Sequence, residues 1–161
     1  MEEIIRQEEE SDVMFDTIIS SIGSGGTFAG LAFANKALDL KKDIIGFNIC
    51  DDKLHFENKI LEISREFMAL YGEFPFERED IKIIDGYAGR GYALSDAIEL
   101  DFIRQFGRRE GIILDPVYTG KAMRGLVTEL IDGHPLLCSS KNILFIHTGG
   151  IFGLFPKRFQ F

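Results

Sequence analysis

Residues 13–27 read VMFDTIISSIGSGGT, and this stretch decides the fold class. Val13–Ile22 is apolar and rich in β-branched residues, the composition of a strand buried on both faces. It runs into Gly23-Ser24-Gly25-Gly26-Thr27, and Thr27–Leu40 then shows helical spacing, with apolar residues at 28, 31, 33 and 38. A buried strand, a glycine turn and a helix form the opening of a parallel α/β unit. Glycines let backbone N–H groups converge without Cβ clashes, and a helix amino end adds partial positive charge. Together they make a cradle for a phosphate, to which Ser24 and Thr27 add hydroxyl donors. A tight turn without ligand needs fewer glycines and hydroxyls than these five positions supply.

The pattern repeats downstream. Ile44–Cys50 reads as a second buried strand, Lys53–Tyr71 as an amphipathic helix and Ile81–Asp85 as a short strand. Tyr87–Leu94 is a glycine-bearing loop. Ser95–Gly107 is a helix with Ser95 as its N-cap, and Gly111–Pro116 is an apolar turn or strand. Thr119–Asp132 is a helix closed by Gly133 and Pro135, and Asn142–His147 is a last buried strand followed by Thr148-Gly149-Gly150 and a short helical end. This order implies a mostly parallel sheet with helices on both faces, formed by one α/β domain over residues 1–161. Ligands of such sheets bind beyond the carboxyl ends of the strands.

Charge narrows the partners. The net charge is −8. Residues 1–16 hold seven acids and one base, so the rest is nearly neutral. The leader reads as a solvated charged helix, and duplex nucleic acid, which needs a basic face, is not an expected partner. The apolar run 143–155 is too short to span a bilayer. Cys50 and Cys138 form neither a disulfide framework nor a zinc site and read as small core thiols of a reducing, cytoplasmic compartment.

Candidate chemistry lies at the strand ends. A dinucleotide fingerprint would need a third glycine where Phe28 stands, although Asp51 and Asp52 occupy the place of a ribose-binding acid. The segment Asp85–Tyr92 and the segment Leu114–Ala122 (LDPVYTGKA) bring Tyr87, Tyr92 and Tyr118 to loops, where a phenol relays protons or binds a carboxylate. Lys121 falls in a first helical turn, where no desolvation is expected, and so reads as an ordinary lysine. His147 reads as structural.

The segments GSGGTFAGL, GYALSD, LDPVYTGKAMRGL and FIHTGG together resemble the carboxyl-terminal half of the D-cysteine desulfhydrase and 1-aminocyclopropane-1-carboxylate deaminase family, from about Asp12 to Phe155. These are pyridoxal-phosphate enzymes of the tryptophan-synthase-β fold type, fold type II. The resemblance implies that Gly23, Ser24, Gly25, Gly26 and Thr27 hold the phosphate of pyridoxal 5'-phosphate. It implies that Tyr92 faces the substrate, that Tyr118 stacks near cofactor and substrate, and that Thr119 contacts the ring nitrogen. Thr148 and Gly149 would line the substrate side. Deaminases carry Glu where Thr119 stands and usually Leu where Thr148 stands, whereas desulfhydrases match this chain. The implied activity is thiol β-elimination from D-cysteine to pyruvate and ammonia, with ring-opening deamination as the alternative within the family.

The resemblance also implies a large-domain fragment. The family's Schiff-base lysine and its smaller domain fall outside these residues, and the chain alone would lack covalent catalysis. The intact protein would be a homodimer acting on a small amino acid, away from membranes. A nucleotide-binding module and a non-catalytic fragment stand as readings of other classes.

Overall fold

The computed structural model describes residues 1–160. Four strands form one sheet in the order β3-β2-β1-β4, and every pairing is parallel. They are β1 (Thr17–Ile22), β2 (Asp43–Asn48), β3 (Lys82–Ile84) and β4 (Ile143–Phe145). The helices are α1 (Glu2–Ser11), α2 (Gly26–Ala37), α3 (Lys53–Tyr71), α4 (Ala97–Glu110) and α5 (Thr119–Asp132). A 3-10 turn at Arg78–Asp80 precedes β3, and a 3-10 segment at Ile151–Gln160 follows β4.

Alternation along the central strands sends side chains to two cores. Ile18, Ile22, Ile44 and Ile83 pack under α2 and α3 with Phe28, Phe33, Phe56 and Ile60. Ile19, Ile45, Phe47 and Ile84 face the other way onto Ala122 and Leu126 of α5. Burial on both faces explains why β1 shows no polar alternation. Gly46 is required where β2 passes α2: a Cβ there would stand 2.1 Å from Ile22 Cδ1.

Several sequence expectations change in detail. The first strand starts at Thr17 rather than Val13, because α1 and a turn at Asp12 (φ 54°) occupy the preceding residues. The third and last strands are likewise three residues each. Gly111–Pro116 forms no strand. The last strand is half-buried rather than buried, since it lies at the sheet edge. Asp96, not Ser95, caps α4. Its carboxylate accepts from the Glu99 amide at 2.8 Å while Glu99 accepts from the Asp96 amide at 2.9 Å. Ser95 instead donates to the Pro116 carbonyl.

The leader helix is not wholly solvated. Glu8 is buried and accepts from Lys42 Nζ at 2.6 Å and from the Phe15 amide at 2.7 Å. Cys138 is exposed and Cys50 half-buried, so neither is a fully buried core thiol. Phe152, Phe155 and Phe159 are exposed, and Phe161 lies outside the described residues.

Candidate active site

The carboxyl ends of β1 and β4 and the start of α5 surround an open cleft of about 470 Å³. Its walls are Ser21, Gly23, Ser24, Thr27, Tyr92, Tyr118, Thr148 and Gly150. Parallel pairing of β1 with β4 places these ends side by side. The Ser21 and Thr148 hydroxyls accordingly stand 3.5 Å apart.

The glycine turn forms one wall. Gly25 takes φ 88° and ψ −19° at the N-cap of α2, a left-handed conformation that glycine adopts without strain. No side chain caps this helix, and its first turn carries no acid. Ser24, Gly26 and Thr27 are exposed. The first-turn amides and the two hydroxyls are therefore left for an anion, and the helix amino end supplies favourable potential. Gly25 and Gly26 shape the turn, while Gly23, Ser24 and Thr27 meet the cleft.

A ring covers the turn from the α5 side. A Cβ on Gly23 would lie 2.8 Å from Tyr118 Cε1, so only glycine lets the ring approach this closely. Tyr118 in turn shares a hydrogen bond with Tyr92 through their hydroxyls, and the two rings meet edge to face at 5.9 Å. The bond from Tyr92, then burial, then the charges of Tyr92 and Asp115 push the Tyr118 phenol up to about 12. At neutral pH the phenol keeps its proton and acts as a hydrogen-bond donor rather than a base.

Asp115 organises the segment that presents Tyr118. Its fully buried carboxylate accepts from the amides of Val117, Tyr118 and Thr119 at 2.7, 2.8 and 2.7 Å. It also accepts from the Thr119 hydroxyl at 2.7 Å, and the Asp115 amide donates back to that hydroxyl at 2.9 Å. Gly150 is needed here too, since a Cβ would stand 2.6 Å from the Asp115 carboxyl carbon.

The sequence-predicted residues divide. Gly23, Ser24, Thr27, Tyr92, Tyr118 and Thr148 share one cleft. Thr119 is fully buried and bound to Asp115 rather than lining the cleft. Gly149 (φ 93°) lies in the same turn, its amide on His147 Nδ1 at 3.2 Å, while Gly150 faces the cleft. The His147 Nε2 stands 2.9 Å from the Ile113 carbonyl oxygen. Asp52 caps α3 through the His55 amide and is not at the cleft, which removes its support for a ribose site. Lys121 departs most from expectation. It is 1% exposed, and burial lowers its affinity for a proton. Its first-turn position did not keep it in water, because the loop 86–94 closes over it.

Sequence reasoning missed Ser21 and Asp115 as site residues. Ser21 reads as one more buried strand position, and its signal was its place at the strand's carboxyl end. Asp115, read only as part of a bend, carried the Asx pattern of an acid followed by amides two to four residues on.

The chain matches the family described as pyridoxal-phosphate dependent enzyme over residues 1–149. It is 38% identical over 146 residues to a bifunctional D-cysteine desulfhydrase/1-aminocyclopropane-1-carboxylate deaminase of Arabidopsis thaliana, covering 91% of this chain and 35% of that protein. A putative 1-aminocyclopropane-1-carboxylate deaminase of Thermotoga maritima is 39% identical over 147 residues, 89% of this chain and 44% of the relative. A D-cysteine desulfhydrase of Yersinia enterocolitica is 34% identical over 156 residues, 97% and 46% respectively. The chain thus spans less than half the length of each of these relatives. Among solved structures, an ACC deaminase homologue superposes with a TM-score of 0.79 at 33% identity, covering 98% of this chain and 47% of that one. A threonine deaminase superposes with a TM-score of 0.53 at 21% identity, which is a likeness of fold alone.

Proposed function

The chain belongs to the family of pyridoxal-phosphate dependent enzymes, and from that premise we propose that its cleft holds pyridoxal 5'-phosphate in a D-cysteine desulfhydrase-like enzyme. The observation that carries the reading is the uncapped, acid-free amino end of α2 behind a glycine turn, with the Tyr118 ring laid against Gly23. The amides of Gly26 and Thr27 and the hydroxyls of Ser24 and Thr27 would hold the phosphate ester. When bound, the cofactor supplies an electron sink for chemistry at an amino acid's α-carbon.

The chain's own groups give the rest. Tyr118 and Tyr92 offer phenol protons to a substrate carboxylate or to a leaving group, since Tyr118 stays protonated at neutral pH. Ser21 and Thr148 make the opposite rim polar. A polar rim suits a thiol-bearing side chain better than the methylenes of a cyclopropane, which favours desulfhydration over ring opening. Thr119 enters this reading with one condition. To meet a neutral ring nitrogen, its hydroxyl would have to exchange its bond to Asp115 for one to the ring.

Two experiments test the reading. The first titrates the chain with 4-deoxypyridoxine 5'-phosphate, which keeps ring and phosphate but forms no imine, and with 4-deoxypyridoxine. Saturable binding that weakens at least about tenfold on loss of the phosphate is expected, a difference of about 1.4 kcal/mol. Equal binding of the two contradicts the cradle. The second measures sulfide and pyruvate release by the intact protein from D-cysteine, against L-cysteine and 1-aminocyclopropane-1-carboxylate. Preference for the cyclopropane substrate replaces the desulfhydrase reading with the deaminase one.

A further inference from the structure

Lys121 is among the most deeply buried side chains of the protein, at 1% exposure, yet no carboxylate lies within ion-pair distance of it among the described residues. Its ammonium donates to two backbone carbonyls, Ala88 at 2.6 Å and Gly91 at 2.8 Å. A buried ammonium without a paired acid is costly. An apolar residue of similar volume would fill the same space without that cost, so the bonds to the loop are what the cation adds.

The loop it fastens is anchored at its start by Tyr87, whose hydroxyl donates to Glu129 and whose ring packs on Phe47, and beyond Tyr87 little else fixes it. Gly86, Gly89, Gly91 and Ala93 all take positive φ, and its only internal bonds are two turns, Gly91 N–H to the Ala88 carbonyl and Leu94 N–H to the Gly91 carbonyl. The Lys121 ammonium sits on the acceptor oxygens of both turns. Glu99 of α4 closes the far side, since a Cβ on Gly89 would stand 2.4 Å from its Oε1. Tyr92 directly follows Gly91, and Tyr118 directly precedes the first turn of α5, three residues before Lys121. Two contacts therefore run side by side between helix and loop: Lys121 to Gly91, and Tyr118 to Tyr92.

We propose that Lys121 is a positioning residue for the tyrosine pair: by holding the Ala88 and Gly91 carbonyls, it fixes the loop at which Tyr92 meets Tyr118 over the glycine turn. The contact geometry stands without any cofactor, but its part in catalysis rests on the function proposed above. The residue touches none of the reacting groups and acts through Tyr92.

The test reads the tyrosines themselves. The full chain is labelled with 3-fluorotyrosine, and its four tyrosines are assigned by single Tyr→Phe replacements. Fluorine resonances are then followed with pH. In Lys121→Met, the Tyr92 and Tyr118 resonances are expected to move, and the Tyr118 ionisation midpoint to fall by about one pH unit. Tyr87, held by Glu129 at 2.7 Å, is expected to stay. A folded Lys121→Met protein with Tyr92 and Tyr118 unmoved overturns the proposal. If that variant does not fold, Lys121→Gln, a shorter and uncharged amide, is read the same way. Failure of both to fold also overturns it, since Lys121 would then serve the fold rather than the loop. Binding of 4-deoxypyridoxine 5'-phosphate to the wild-type chain keeps the two readings apart. No binding with a tyrosine shift sinks the proposed function alone. Binding without a shift sinks this inference alone.

Discussion

At Gly23 the absence of one carbon joins two elements, because the Tyr118 ring occupies the space a Cβ would need. Gly23→Ala should therefore displace the ring from the turn. The expected result is a loss of at least about tenfold in affinity for 4-deoxypyridoxine 5'-phosphate by calorimetry, with a fall in stability of about 1–2 kcal/mol. Asp115 is the second such residue. It satisfies three backbone amides and one hydroxyl from inside the protein. Asp115→Asn puts an amide NH₂ among those donors and should cost about 3 kcal/mol in urea denaturation. Neither role can be read from the residue type. The glycine cluster was visible in the sequence as a turn between strand and helix, but that Tyr118 leans on Gly23 depends on where α5 packs. Lys121 shows the same limit from the other side: its burial comes from a loop 30 residues away in sequence.

Helix and strand identities were legible because glycines and prolines punctuate a strong period. α3 and α5 fall at the residues the apolar spacing gives, Lys53–Tyr71 and Thr119–Asp132. Ends were less legible. Ser95 and Asp96 are both good N-caps, and the choice goes to Asp96 because Glu99 completes a reciprocal capping box. Asp96→Ala should lower stability by about 1 kcal/mol, and Ser95→Ala by less, as chemical denaturation would show. Helix α1 looked solvated because its acids dominate, yet Glu8 forms a buried pair with Lys42. Lys42→Met should strand that carboxylate and cost about 3 kcal/mol, and Glu8→Gln in the same protein should recover part of the loss. Equal stability of the single and double variants would contradict the pairing.

Across the molecule, a parallel sheet with helices on both faces was legible from one stretch, because a buried strand, a glycine turn and a helix in succession state the topology. The half-buried edge strand β4 was not, since its apolar sequence is that of a strand flanked on both sides. Two phenols mark the protein's response to alkali. Burial first and then Glu129 push Tyr87 up to about 12, and Tyr118 lies equally high. Folded values above the ordinary value near 10 favour the protonated phenols in the native state. Their contribution is thus fully present below about pH 10 and is lost as pH rises toward 12. The urea midpoint should fall over that window, and less steeply in Tyr118→Phe. Holding of a phosphate ester by the amides of the α2 amino end is the central requirement of the proposed function. Its most direct test is a ¹H–¹⁵N titration of the chain with 4-deoxypyridoxine 5'-phosphate. The largest saturable shifts are expected on the amides of Ser24 to Thr27, and 4-deoxypyridoxine should leave those amides unmoved. Shifts centred elsewhere, or the same shifts without the phosphate, would contradict it.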